Sequence, residues 1–437
     1  MDTFAELGLG VPLLRVLEER KHLTPTPVQS ETITSVLKGR DVWAQAQTGS
    51  GKTAAFALPI LQNFAEPHVT APRGVLVLVP TRELAAQVGS TFTEYARYLP
   101  NSLKIVTVHG GVSINPQMMK LRGRVDIVVA TLGRLLDLVE KNAFNLSTVS
   151  LLVLDEADRL LDLGFSDELG RILEMLPRER QNLLFSATFP EAVTALAEAI
   201  LSEPVRIEIE ASTESTPDIL ERAIEVDVPR RTQLLVHLIK SNGWSRVLVF
   251  VATKYATEHI ADKLRRAGIE AGALNGELSQ GARTRALADF QSSELQVLVA
   301  TDLAARGIDV VQLPAVVNYD LPRAAVDYTH RIGRTARAGE SGEAVSFVSA
   351  ETHGHFRLIE ERNQRQILRE QIEGFEPVEI ETHKPESTGG VKGNRKSKKD
   401  KLREAAARAA NPSAALEKPL DTTFRWHRAD LNQDRRK

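Results

Sequence analysis

Between residues 41 and 210 the chain repeats one pattern: a short run of Val, Leu and Ile, then an amphipathic helical stretch. The runs fall at 41–47, 74–79, 104–108, 126–130, 151–154, 182–185 and 205–209. Runs this short and this continuously apolar suit strands buried on both faces of a mostly parallel sheet, because the crossover helices cover both faces. Residues 211–217 are polar and end in Pro217, which reads as a linker. The alternation then restarts at 223–228, 246–251, 270–274, 295–300, 315–319 and 344–348. The expected fold is therefore α/β, with a first domain over 1–210, a linker over 211–218, a second domain over 219–376 and a tail over 377–437. A length of 437 residues exceeds what one core accommodates. Residues 1–38 read as helical, interrupted by Pro25 and Pro27, and 355–372 as a closing charged helix.

Composition excludes several classes. Hydrophobic residues make up 42% of the chain, ordinary for a globular protein. With no cysteine there is neither a disulfide nor a thiolate metal site, which fits a reducing compartment. The N-terminus has no basic and apolar leader, and no apolar run reaches the ~18 residues of a membrane span. A cytoplasmic location is expected. Net charge is −2, yet from Lys384 onward 15 Lys and Arg face 7 Asp and Glu, so an acidic body carries a basic tail. That tail is low in apolar residues and reads as largely disordered.

The stretch that carries chemistry in the first half is Ala46, Gln47, Thr48, Gly49, Ser50, Gly51, Lys52 and Thr53. It stands between an apolar strand and a helix. Gly49 and Gly51 let successive N–H groups curl around an anion, and the new helix adds its positive end. Lys52 can reach terminal phosphates and Thr53 can offer a hydroxyl to Mg²⁺. About a hundred residues on, Asp155-Glu156-Ala157-Asp158 closes the run 151–154. A carboxylate at such a strand end is where P-loop NTPases hold their metal, so Asp155 is the expected Mg²⁺ ligand and Glu156 the group that polarises the attacking water.

Over roughly residues 4–350 the sequence resembles the DEAD-box ATP-dependent RNA helicases, with the motifs in family order. Ala46 belongs to that resemblance, since the family uses Ala where the generic loop has Gly. The resemblance implies two tandem RecA-like domains, ATP and Mg²⁺ as cofactors, and RNA as partner. Pro25-Thr26-Pro27-Val28-Gln29 resembles the family's Q-motif, with Phe4 as its upstream aromatic. A Gln amide complements the N7 and amino group of adenine, so Gln29 implies selection of ATP. The family's Gly-aromatic pair is here Lys21-His22, and His22 is expected to stack on the base.

Pro80, Thr81 and Arg82, then Gly110 and Gly111, then Thr131, Gly133 and Arg134 resemble motifs that grip one RNA strand by its phosphates. Leu132 replaces a common Pro. In the second half Thr253, Gly276, Gln280, Arg283 and Thr301 match further RNA contacts, with Asn275 and Glu277 departing from the family's His and Asp. Asp309 matches a ribose contact. Arg334 and Arg337 match the arginine fingers, and Ala336 replaces a frequent Gly. Asp158, Ser186, Thr188, Asp302, His330 and Arg331 match residues that couple the two activities.

The resemblance implies an RNA-stimulated ATPase that separates short duplexes or remodels ribonucleoproteins, on a single strand or short duplex without base specificity in the body. Ribosomal precursors and RNA-decay proteins are the expected partners. Lys52, Glu156, Arg334 and Arg337 argue against a non-unwinding RNA clamp, and the Q-motif and acidic box against a DNA-directed translocase. The tail loosely resembles that of bacterial RhlE-like members. Its cluster Arg395, Lys396, Lys398, Lys399 and Lys401, with Phe424 and Trp426 beyond, suits electrostatic and stacking contacts to RNA.

Overall fold

Each half of the chain folds around one seven-stranded sheet, and every strand pairing is parallel. A computed structural model describes residues 3–46, 50–65, 74–209, 219–305, 313–336 and 341–378. The expected linker, the tail from 379, and Gln47, Thr48, Gly49, Asp309 and Arg337 lie outside the described residues. In the first lobe the strands are β1 (Val42–Gln45), β2 (Val75–Leu78), β3 (Ile105–Val108), β4 (Ile127–Ala130), β5 (Leu151–Leu154), β6 (Gln181–Ser186) and β7 (Val205–Glu208). They lie in the order β3-β4-β2-β5-β6-β1-β7. Every side chain of β2, β4 and β5 is buried, as continuous apolar strands between two helical layers must be.

The second lobe repeats the plan with β8 (Ile219–Glu225), β9 (Val247–Val251), β10 (Ala271–Leu274), β11 (Val297–Thr301), β12 (Ala315–Asn318), β13 (Gly342–Val348) and β14 (Arg369–Glu370). Their order is β10-β11-β9-β12-β13-β8-β14. Two strands depart from the apolar pattern. β8 starts four residues before the expected 223, and β14 falls where a helix was expected. The reason is polar cross-strand pairing. Arg222 on β8 donates to Glu343 on β13 at 2.6 Å and to Glu370 on β14 at 2.6 Å. Charged residues that satisfy each other across a ladder leave no hydrophobic trace. The closing helix runs only from His353 to Arg362, and the chain turns at Gln364, whose φ is +52°.

At the N-terminus the helices are Val11–Glu19 and Pro27–Leu37. Pro27 starts the second helix rather than breaking one, since the first helical position needs no N–H partner. Parallel pairing has one consequence for function. The loops that follow β1 to β6 all emerge at one sheet edge, where open α/β sheets bind ligands. The core beneath is dense. The ring of Phe56 packs 5.3 Å from Phe185 and 6.1 Å from Phe92, all fully buried. Phe56→Ala is expected to lower the unfolding free energy of the first lobe by about 3–5 kcal/mol, measured by urea denaturation.

Candidate active site

The helix Lys52–Ala65 begins directly behind Ser50 and Gly51. Gly51 has a φ of +91°, and a Cβ there would collide with the Gln29 amide and stand 3.3 Å from Thr26 Oγ1. Glycine is thus required both by conformation and by space. Thr26 Oγ1 donates to the Ser50 carbonyl at 2.9 Å, and Gln29 Nε2 donates to the Gly51 carbonyl at 3.3 Å. Gln29 Oε1 meanwhile accepts the Thr26 N–H at 3.0 Å. The Gln29 amide therefore ties the helix Pro27–Leu37 to the loop, with one N–H and one lone pair left for a base. His22 is exposed, and partial burial with the Arg20 charge holds its imidazole below the usual range. Phe4, expected at the base, is instead only 4% exposed within the core of the first lobe. Its burial leaves little ring face for stacking.

Lys52 is the side chain that most demands a ligand. It is 7% exposed, and its Nζ is buried without a hydrogen-bond partner. A buried ammonium in that condition is costly until an anion reaches it. Thr53 follows it, half-buried. Near Lys52, at the end of β5, three carboxylates are taken out of water: Asp155, Glu156 and Asp158. Burial pushes the Asp155 carboxyl up to about 6, the Lys52 ammonium opposes the rise, and Glu156 and Asp158 add to it. Asp155 Oδ1 accepts the Glu156 N–H at 2.9 Å.

Glu156 sits in the left-handed region, with φ +53° and ψ +51°. That conformation costs a non-glycine residue about 1–3 kcal/mol and is typical of functional turns. Its Oε2 accepts from Arg159 Nη1 at 3.0 Å in a pair that is almost wholly buried. Asp158 is held from the next strand. Its Oδ2 accepts from Thr188 N at 3.0 Å and from Thr188 Oγ1 at 2.9 Å, and its N–H donates to Ser186 Oγ at 3.2 Å. Ser186 and Thr188 are thereby brought onto the acidic box.

The second lobe approaches this cluster. Arg159, Asp302, Asp327, His330, Arg331 and Arg334 line one small pocket. Burial pushes the His330 imidazole down to about 4, with Arg159 acting the same way and Asp158 opposing, so the ring is neutral at physiological pH. Arg334 is 6% exposed and follows Gly333, the cap of the helix Ala325–Ile332. Arg331 is committed inside its own lobe: it grips both oxygens of Asp302 at 2.5 and 2.7 Å and donates to Asn318 Oδ1 at 3.0 Å.

Away from the acids, the loops after β2, β3 and β4 form a second surface. Pro80 is buried, and Thr81 caps the helix Arg82–Tyr95 by accepting from Leu84 N at 3.2 Å. The exposed Arg82 guanidinium lies 3.5 Å from where a Cβ on Gly110 would stand, and it would block one on Gly111. Thr131 stands at the N-cap position of the helix Leu132–Glu140 without a side-chain capping bond, and Gly133 and Arg134 lie in its first turn. Arg134 Nη2 donates to the Val112 carbonyl at 2.9 Å, while its Nη1 is buried without a partner. Across the second lobe, Thr253, Gly276 and Thr301 sit at the ends of β9, β10 and β11, the first two exposed. Gln280 and Arg283, expected on RNA, instead meet Glu83 of the first lobe. Arg283 Nε donates to Glu83 Oε1 at 2.7 Å and Gln280 Nε2 at 3.4 Å. Arg283 also donates to the carbonyls of Asn275 and Ala304, so its guanidinium is fully engaged by protein.

Comparison with known proteins bears on this arrangement. The sequence model of the DEAD/DEAH box helicase family matches residues 26–196, and that of the helicase conserved C-terminal domain matches 230–339. The ATP-dependent rRNA helicase RRP3 of Gibberella zeae is 42% identical over 349 residues, which is 79% of this chain and 71% of that protein. This chain belongs to the DEAD-box helicase family. The ATP-dependent RNA helicase DeaD of Escherichia coli K12 is likewise 42% identical over 358 residues, 82% of this chain. The match spans 56% of DeaD's length. The structure of S. cerevisiae Dbp5 bound to RNA and ADP BeF3 superposes with a TM-score of 0.75 at 30% identity, covering 85% of this chain and 96% of that one. The two parallel-sheet lobes are thus RecA-like.

Within this DEAD-box protein, two residues that motif reading passed over are structurally committed to the site. Arg159 neutralises Glu156, and its only sequence signal is the spacing of three along a helix. Gln117 pins the Gly110 turn, accepting from His109 N at 3.0 Å and donating to the His109 and Ser113 carbonyls at 3.2 and 3.1 Å. The departures from the family pattern also acquire meaning. Lys21 and Ala336 stand where the family has Gly, and both take positive φ, +58° and +49°. Leu132 is the first residue of its helix, the position where Pro would fit. Lys21→Gly is expected to raise the unfolding free energy by roughly 1 kcal/mol, because relief of the left-handed strain exceeds the added entropy of Gly. Arg159→Ala, which strands a buried carboxylate, is expected to cost about 3–5 kcal/mol. Adding Glu156→Ala should return part of that loss, and a double-mutant cycle in urea measures the coupling.

Proposed function

We propose that the chain is an RNA-stimulated ATPase that uses closure of its two lobes to separate short RNA duplexes locally or to remodel ribonucleoproteins. The observation that carries this reading is Lys52, a buried cation with no bonded partner, set behind a glycine loop and near the buried Asp155, whose carboxyl burial pushes up to about 6. Together they form a site that is electrostatically incomplete without a phosphate anion and a metal cation. Lys52 and the backbone N–H groups of the loop hold the β- and γ-phosphates. Asp155 and Thr53 suit Mg²⁺. Among the described residues no three acidic or imidazole side chains gather as a metal cage, and Mg²⁺ characteristically takes one or two carboxylates plus phosphate and water. When bound, Mg²⁺ supplies neutralisation of charge on the phosphate oxygens.

Glu156 orients the water. With Oε2 fixed by Arg159, Oε1 remains to accept from it. The water oxygen bonds to the γ-phosphorus as the bond to the ADP oxygen breaks, giving ADP and inorganic phosphate. Arg334, with Arg337 beyond the described residues, stabilises charge on the transferring group. Gln29 and His22 complete the adenine side, and Asp309 the ribose.

RNA lies on the second surface, where Thr81, Arg82, Gly110, Gly111, Thr131, Gly133 and Arg134 meet phosphates without reading bases. Thr253, Gly276 and Thr301 continue that track. The bonds from Thr188 and Ser186 to Asp158 tie the acidic box to its neighbouring strand, and His330 faces it from the other lobe. Gln280 and Arg283 act as a clasp on Glu83. Because strand and nucleotide each span both lobes, each favours closure and so favours the other. We place the protein in the cytoplasm. Among the described residues no helix is long and apolar enough to cross a membrane. Ribosomal precursors are favoured as substrate by the rRNA helicase relative, with RNA-decay assemblies as the second candidate.

Phosphate release with and without RNA tests the reading. Wild-type turnover should rise with RNA and respond less to DNA. Glu156→Gln should abolish turnover while ATP and RNA still bind, and Arg334→Ala should lower turnover by about 10³ or more. Full activity in either variant would remove the role assigned to that residue.

A further inference from the structure

The second lobe holds a cavity of about 330 Å³ that none of the roles above uses. It is lined by Lys254, Tyr255, Glu258, Asn275, Glu277 and Leu278, at the carboxyl ends of β9 and β10. Tyr255 is 76% exposed and is the one aromatic among the exposed large hydrophobic side chains of the described residues. Its ring is not loose. It stacks on His259, one helical turn on, with centroids 5.6 Å apart and planes 15° from parallel.

The walls are fixed in advance. Asn275 is buried, donates from Nδ2 to Thr257 Oγ1 at 2.9 Å and to Glu258 Oε1 at 3.4 Å, and accepts the Glu277 N–H at 3.0 Å. Lys254 forms an ion pair with Glu277. Two carboxylates against one lysine, already paired, make the pocket unsuited to phosphate. A flat apolar face with acceptors at its rim suits a base, and carboxylates accept from exocyclic amino groups such as cytosine N4. The volume is at the lower end of small-molecule sites. Thr253 and Gly276, proposed to hold phosphates, flank the cavity in sequence, so a base reaching it need only splay from that track.

We propose that this cavity receives one nucleobase of the bound strand, stacked on Tyr255, and that it prefers a base bearing an amino group to uracil. The inference rests on the proposed RNA binding and adds a base contact to a phosphate-only surface. The test uses the full chain with a non-hydrolysable ATP analogue and single-stranded oligoribonucleotides of one length: oligo(C), oligo(U) and an abasic strand. Wild type should bind oligo(C) several-fold more tightly than oligo(U). Tyr255→Ala should weaken oligo(C) roughly tenfold while leaving the abasic strand within twofold, and Tyr255→Phe should restore binding. Glu258→Gln should erase the preference for C over U. Undiminished oligo(C) binding by Tyr255→Ala, or an equal loss on the abasic strand, overturns the stacking site alone. A preference that survives Glu258→Gln overturns the amino-group assignment. Failure of wild type to bind any strand overturns the RNA reading and this site together.

Discussion

Three carboxylates within four residues are withdrawn from water at the end of β5, and the first lobe is arranged to make that tolerable. Each is compensated differently. Asp158 is held by neutral donors, the N–H and hydroxyl of Thr188. Glu156 is neutralised by a cation on its own helix. Asp155 has a single neutral donor, the Glu156 N–H, and no bonded cation, and burial pushes its carboxyl up to about 6. A buried charge without compensation is where a ligand gains most by arriving. Asp155 thus lies near Lys52, whose buried ammonium is the one lysine Nζ among the described residues that is buried without an acceptor. The two deficits are complementary, and the proposed nucleotide with its metal would meet both.

The same logic explains why the site is divided. One parallel sheet collects its loops at one edge, and that edge also carries the turns after β2, β3 and β4 that we propose for RNA phosphates. Arg334, the proposed finger, comes from the second lobe and lines a small pocket with Arg159 of the first. The Glu83 contact with Arg283 and Gln280 is a separate clasp between the lobes.

Much of this was legible in the chain. The apolar runs located nearly every strand, because strands covered on both faces have no polar side to blur the pattern. The glycine loop and the acidic box followed from spacing. Where the pattern failed, side chains were satisfied by distant partners. Arg222 holds β8 and β14 through charges 121 and 148 residues away. Phe4 entered through the resemblance alone, and its burial depends on packing against residues distant in the chain.

The sequence by itself determined the two sheets, the phosphate loop and the order of the motifs, since these depend on periodicity and on residues close along the chain. It also marked Lys21 and Ala336 as unusual, though not as strained. Only the tertiary structure decided which donors and acceptors remain. It engaged Gln29 with the loop backbone, gave Arg283 to Glu83, paired Arg159 with Glu156 and left Lys52 without a bonded partner. Hydrogen bonds are exclusive, and a side chain's chemistry is what its neighbours have not already used. Those neighbours come from strands and helices far apart in the chain, so their claims on each group are settled only when the lobes have folded.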